Sequence, residues 1–239
     1  MSLILALDTS TDACSVALNA GGIITSLFEL ATKSHTQRLL PMVDDVLQTN
    51  GYALSDLDAI AFGRGPGSFT GLRICAGIVQ GLAFGANLPV ILVSTLEAMA
   101  LGFYRANPQV ELPVLAALDA RMNEVYYGLF AREGELVQPL CAEEVINPEM
   151  LASSNGLAQL GSNFIGVGPG WHYPALQALA VNHRQLDVHP HAENMALIAA
   201  QLFAKGHVVS ALEAQPVYLR DSVSWQKRQR IRNSNDFLI

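Results

Sequence analysis

The sequence predicts an α/β protein of two lobes, and three observations carry that prediction. Three strand-like runs joined by short turns open the chain, and such runs pair antiparallel. Two more strand-like runs follow, each reached through a helical stretch, as parallel crossovers require. The second half then echoes the first: strands, a Gly-Pro-Gly turn, a helix. The expected division is a first lobe over 1–105, completed by a helix near 192–206, a second lobe over 106–191, and a basic, flexible tail over 219–239.

Each element has a local cause. Residues 3–7 are a buried apolar strand ending at the polar turn Asp8-Thr9-Ser10-Thr11-Asp12. Residues 14–18 are a second strand, and Gly21-Gly22 turns the chain tightly into a third at 23–30. Ser34 is the expected N-cap of a helix over 35–47. In it Leu39, Leu40, Val43, Val46 and Leu47 fall on one broad face, and Asn50-Gly51 ends the run. Core packing explains that face first and a helix–helix seam second, the two being compatible if the stripe is wider than the sheet needs. Residues 59–62 form the next strand and enter a glycine-rich loop. Residues 70–84 are an apolar helix, 89–93 a strand, and Ser94 with Glu97 makes a capping box for another helix. Further on, 114–118 and 124–131 read as strands, and Asn147-Pro148-Glu149 starts a helix with proline at its first position. Residues 164–167 are a strand entering Gly168-Pro169-Gly170, 171–180 a helix, and 194–205 a last apolar helix.

Composition narrows the class. Hydrophobic residues make up 51% of the 239 and charged residues only 15%, which points to a large hidden interface or to an alanine- and leucine-rich core. No uninterrupted apolar run reaches the ~20 residues of a membrane span; the best is broken by Gly77, Gln80 and Gly81. The N-terminus lacks the basic region and cleavage site of a signal peptide. Cys14, Cys75 and Cys141 are scattered, with no Cys-x-x-Cys, which argues against a disulfide framework or zinc ribbon and fits a reducing cytoplasm. Cys75 reads as a buried, inert thiol. From Arg220 onward there are five basic and two acidic residues; before it, nine basic and nineteen acidic, a net of −10. An acidic body of this kind is a poor nucleic-acid binder by itself.

The most specific motif is Gly63-Arg64-Gly65-Pro66-Gly67-Ser68-Phe69-Thr70-Gly71-Leu72-Arg73. Its glycines permit close backbone approach, and a loop between strand and helix turns N–H groups outward. Gly65, Gly67 and Ser68 can therefore meet a nucleotide phosphate or pack as a tight turn. The loop is not a Walker A sequence, since no Gly-Lys-Ser/Thr follows, nor a Rossmann fingerprint, since Ser68 stands where the third glycine belongs. Asp8, Thr9 and Ser10 can offer hydroxyls, N–H groups and a carboxylate to a phosphate or metal-bound water, or can satisfy their own backbone, the plainer reading. The histidines carry no metal pattern, because proline separates His189 from His191 and there is no His-Glu-x-x-His. His35 reads as a surface or interface residue, and no catalytic residue is assigned.

Four stretches together carry a resemblance: Leu5-Ala6-Leu7-Asp8-Thr9-Ser10-Thr11, Ser34-His35-Thr36-Gln37-Arg38-Leu39-Leu40-Pro41, the glycine loop, and Pro216-Val217-Tyr218-Leu219-Arg220. In these the chain resembles the TsaB (YeaZ) family. The resemblance implies an actin/hexokinase-like (ASKHA) fold of two ribonuclease-H-like lobes. It implies a role in making threonylcarbamoyladenosine next to the anticodon of tRNAs that read codons starting with A. Where the catalytic paralogue TsaD has His-x-x-x-His, this sequence has Thr95-Leu96-Glu97-Ala98-Met99, so the metal ligands are implied to be missing. The implied role is a non-catalytic subunit that binds TsaD through the helix beginning near His35, joins the ATPase TsaE, and forms a homodimer when alone. Contact with tRNA is then indirect, no cofactor is held tightly by this chain, and ATP or ADP sits at the junction of the complex. Leu39, Leu40, Val43, Val46 and Leu47 are the expected hydrophobic seam, with His35 and Arg38 at its polar rim. On that expectation, charging Val43 and Leu47 abolishes partner binding while the monomer stays folded. The rival reading is an independent ATP-dependent kinase or ATPase, using Asp8, Asp119 at a strand end, and an adenosine loop over 166–170.

Overall fold

The computed structural model describes residues 2–31 and 34–220, folded as two mixed sheets. The first contains β1 (Leu3–Asp8), β2 (Ala13–Ala20), β3 (Ile23–Leu30), β4 (Ala59–Gly65) and β5 (Val90–Ser94), in the order β3-β2-β1-β4-β5. The second contains β6 (Val114–Arg121), β7 (Glu124–Glu133), β8 (Leu136–Pro139), β10 (Ile165–Val167) and β11 (His183–Gln185), in the order β11-β10-β6-β7-β8, with β9 (Glu144–Ile146) also on β7. With β9 set aside, both sheets place their strands third-second-first-fourth-fifth. In both, the first, fourth and fifth strands run parallel and the second antiparallel. This internal duplication is the two-lobed actin/hexokinase-like fold.

β1 is paired on both edges, with Leu5 opposite Leu18 on one side and Ile60 on the other. Both of its faces are covered, which is why its sequence is continuously apolar rather than alternating. Leu5 and Leu7 face outward toward α1 (His35–Asn50) and α2 (Phe69–Ala86). Ile4 and Ala6 face a middle layer of α7 (Ala192–Ala204) and α3 (Thr95–Ala106). α7 lies on β1, β2, β4 and β5, while α3 packs on α7 and on β6, β7 and β8. One apolar core thus runs from the first sheet through both helices to Val114, Ala116 and Phe130 of the second. The outer face of the second sheet carries α4 (Pro148–Ala152), α5 (Asn155–Leu160) and α6 (Pro174–Gln177), over Leu115, Ala117 and Trp171.

Several expectations are corrected. Leu39, Val43, Val46 and Leu47 are buried against Leu5, Val16 and Phe62, so they serve the core of their own lobe. A fully buried aliphatic side chain stabilises by about 1.5–3 kcal/mol, so core packing, the first of the two explanations, accounts for these four. His35 is buried too, with Nε2 unpartnered among the described residues, and does not lie on a polar rim. Only Leu40, 47% exposed, and Arg38, paired with Glu29 at 2.7 Å, face outward. Ser34 stands at the N-cap of α1, but its hydroxyl donates to Ala31 O rather than capping. Gly51 ends α1 in the left-handed conformation its sequence implies.

No helix spans 171–180. Pro174 holds Tyr173 extended, and Trp171 turns into the core, where its indole N–H donates to Leu115 O at 3.1 Å. A methyl group added at Gly166 would overlap that indole. Among the described helices α2 alone is long and apolar enough to cross a membrane. It lies instead along the first sheet, with Leu72, Cys75, Val79 and Ala83 buried.

Candidate functional site

The parallel strands β1, β4 and β5 end side by side, and the motifs singled out in the sequence meet there. Asp8 closes β1 and is fully buried with Thr9 and Ser10. Its Oδ2 accepts from the Ser10 N–H at 3.2 Å and from Ser10 Oγ at 3.0 Å. Its Oδ1 has no partner among the described residues. Burial pushes the carboxyl up to about 7, against a smaller lowering by the Ser10 hydrogen bonds.

The glycine loop is folded onto this turn. Thr9 Oγ1 donates to Gly71 O at 2.8 Å, and the Ser68 N–H donates to Ser10 O at 2.6 Å. A side chain on Gly63 would overlap Asp8 Oδ1, one on Gly67 would overlap Ser10 O, and one on Gly71 would overlap Thr9 O. Gly65 has φ of +104° and lies against Leu72. The glycines therefore serve close packing of two backbone segments. Asp8, Thr9, Ser10 and Gly65 are buried in this packing and Gly67 lies against Ser10, while Ser68 is exposed and caps α2 by accepting from the Gly71 N–H at 3.4 Å.

Ser94 ends β5 and caps α3, accepting from the Glu97 N–H at 3.1 Å. The expected capping box is half-formed, because the Glu97 side chain does not reach back to the Ser94 N–H; Ser94 Oγ also donates to Glu143 of the second lobe. Thr95 and Met99 are fully buried. Thr95 Oγ1 is unpartnered among the described residues, and the Met99 methyl fills the space beneath Gly168, where an added side chain would overlap it. Among the described residues no three histidine, cysteine or acidic side chains gather as a metal donor set.

Beside these strand ends lies a cavity of about 330 Å³ between the lobes. Arg64 and Glu97 enter it from the first lobe, and Phe130, Pro139 and Glu143 from the second. Arg64 pairs with Glu143 at 3.2 Å. Burial first, and the Glu143 charge second, push the Glu97 carboxyl up to about 7, with Arg64 opposing. Sequence reasoning missed Glu143 and took Glu97 only as a cap. The one available signal was that an acidic residue in a helix first turn need not bend back.

Residues 216–220 cross from lobe to lobe at this cavity. The Val217 N–H donates to Arg64 O at 2.8 Å, and Arg73 Nε donates to Tyr218 Oη at 3.2 Å. Arg220 reaches the Glu124 carboxylate and donates to Ala120 O at 3.3 Å. Leu219 and Arg220 are thus held, contrary to a free tail from 219; residues 221–239 lie outside the described residues.

On the opposite side of the first sheet, the outer surface of α2 is lined by Gly77, Gly81 and Gly85, where an added Cβ would meet open space. Phe84 projects beside them, 74% exposed, and α1 runs alongside. In the sequence Gly77 and Gly81 read only as breaks in an apolar run, and Gly85 lies beyond that run. Their four-residue spacing, which sets them on one helical face, was the signal available.

A family model described as "TsaD: tRNA N6-adenosine threonylcarbamoyltransferase" matches residues 15–225. The chain is 48% identical over 229 residues to the tRNA threonylcarbamoyladenosine biosynthesis protein TsaB of Escherichia coli K12, covering 94% of this chain and 97% of that protein. It is 46% identical over 232 residues to TsaB of Haemophilus influenzae, covering 94% and 96%. The solved structure of YeaZ from Pseudomonas aeruginosa superposes with a TM-score of 0.84 at 44% identity, over 92% of this chain and all of that one. The chain therefore belongs to the TsaB (YeaZ) family of tRNA threonylcarbamoyladenosine biosynthesis proteins, related to the transferase TsaD.

Proposed function

We propose that this chain is a non-catalytic subunit that supports a TsaD-type transferase in threonylcarbamoyl transfer to tRNA. The observation that carries the reading is the closure of the strand-end site. A carboxylate that positions a metal or nucleotide must reach it, whereas Asp8 is sealed beneath Gly63 and the loop. Thr95 and Met99, buried at the turn where the paralogue carries histidines, favour the same conclusion.

The partner surface is the outer face of α1 and α2. Leu40, Phe84 and the three glycines of α2 give it an apolar, low-relief strip among polar side chains, along which a second pair of helices can approach closely. On this reading TsaD occupies the face in the working assembly and a second copy occupies it when the chain is alone. TsaE and ATP or ADP join at the junction, tRNA is met through the complex, and the assembly works in the cytoplasm. The independent kinase or ATPase gains no support. Asp119 accepts from its own turn at the Arg121 N–H, 2.8 Å, and from Tyr173 Oη, 2.9 Å, and side chains on Gly168 or Gly170 would overlap or crowd Ala117.

The test is size-exclusion chromatography with light scattering on this protein alone and with TsaD of the same organism. A one-to-one complex that replaces a homodimer supports the reading. Two folded proteins that ignore each other, or ATP turnover by this chain alone, would overturn it.

A further inference from the structure

The cavity between the lobes holds opposite charges that are incompletely used. The Arg64 guanidinium spends one NH2 group on Glu143, and no hydrogen bond occupies its Nε or second NH2 among the described residues. The Glu97 carboxyl lines the same cavity and makes no side-chain hydrogen bond among the described residues. It sits in the first turn of α3, whose Glu97 N–H donates to Ser94 Oγ while Ser94 Oγ donates to Glu143. Phe130, Pro139 and Leu219 supply apolar wall between these polar groups. A volume of about 330 Å³ lies at the lower end for ligand pockets, suited to a small metabolite rather than a nucleotide.

We propose that this interlobe cavity is a binding site for a free α-amino acid with a short aliphatic side chain, its carboxylate on Arg64 and its ammonium on Glu97. The chemistry follows from the donor set. Arg presents parallel N–H donors that match a carboxylate. The Glu97 carboxylate, with no ion pair among the described residues and a second carboxylate beside it at Glu143, favours an ammonium. The apolar wall takes the side chain. A plain cation would leave the Arg64 donors idle, and a plain carboxylate would leave Glu97 unpaired. The site uses none of the residues assigned to the partner face, so it stands or falls apart from the scaffold reading.

Glu97 supplies a readout that a nonspecific contact would not move. Its carboxyl, raised to about 7, faces Glu143 from the β8–β9 loop and Arg64 from β4. An arriving ammonium favours the ionised form, so binding near pH 7 releases about half a proton. The experiment is isothermal titration of the full chain with L-valine, N-acetyl-L-valine and L-valinamide, each in two buffers of different ionisation enthalpy. The expected result is saturable binding of L-valine with proton release. Both derivatives should bind about tenfold more weakly or worse, and Glu97→Gln should lose binding by a similar factor. Glu97→Gln keeps the side-chain shape and removes a raised carboxyl, so its thermal midpoint should not fall. Three outcomes overturn the proposal: no L-valine binding at about 10 mM, the limit of weak association; valinamide binding as tightly as L-valine; or Glu97→Gln binding unchanged.

Discussion

Asp8 is the residue on which the functional reading turns. The turn Asp8-Thr9-Ser10 has the composition of a phosphate-binding corner, yet all three side chains are buried under a loop whose glycines let its backbone close onto them. The raised pKa has a consequence for stability. Between the ordinary value of 3.8 and about 7, the unfolded carboxyl is ionised while the native one keeps its proton. The group's contribution is present below 3.8, falls as pH rises through this window, and levels off above 7, by up to about 4 kcal/mol. Glu97 acts in the same direction, and His191, lowered by burial, acts oppositely. Asp8→Asn should therefore remove much of the loss in urea midpoint between pH 5 and pH 8, and be no less stable than the parent at pH 8. An unchanged difference between the two pH values would show that Asp8 is already ionised in the native state. Gly63→Ala tests the same contact from the other side. Its methyl would overlap Asp8 Oδ1, and overpacking of this kind costs about 1–3 kcal/mol, read as a lower melting temperature.

On the proposed function, helices α1 and α2 divide the labour that the sequence assigned to α1 alone. The apolar stripe of α1 is spent on the first sheet, so charging Val43 and Leu47 should unfold the protein rather than yield a folded monomer. Each substitution buries an unpaired charge, at a cost of several kcal/mol. Circular dichroism of the double variant decides between the two outcomes. α2 offers the converse experiment. Gly81 is exposed at mid-helix, and Gly81→Leu improves helix propensity by about 0.8 kcal/mol while obstructing the outer face. The expected variant melts no lower than the parent and no longer forms a dimer or a TsaD complex in light scattering. Association that survives Gly81→Leu would move the partner surface away from α2.

At the scale of the molecule, two sheets of one topology are joined by α3, α7 and the crossing segment 216–220. That segment clasps the β6–β7 turn, whose Arg121, Met122 and Asn123 all have positive φ. Positive φ in non-glycine residues persists where surrounding contacts hold it. Arg220 supplies such contacts through Glu124 and Ala120 O. Arg220→Ala should speed amide hydrogen exchange at 119–124 with little change in global stability, since a partly exposed ion pair contributes about 1 kcal/mol or less. Unchanged exchange there would show that the turn holds itself.

What the sequence determined by itself is the α/β class, the order of elements from β1 to α3 and the family; in the second lobe β8, β9, α5 and β11 were not legible. What was legible rests on local periodicity, turn glycines and motif spacing, all written in neighbouring residues. Gly51 and the proline at the start of α4 ended and began their helices as local chemistry dictates. Tertiary structure decided everything that depends on which face an element buries. A stripe of Leu39, Val43 and Val46 looks the same whether it meets a sheet or a partner, and only the position of β1 and β2 shows that it meets the sheet. A glycine loop looks the same whether it cradles a phosphate or a backbone turn, and only the approach of Thr9 and Ser10 fills it. Arg64, Glu97 and Glu143 are far apart in the chain, and their meeting exists only once the two lobes close on each other.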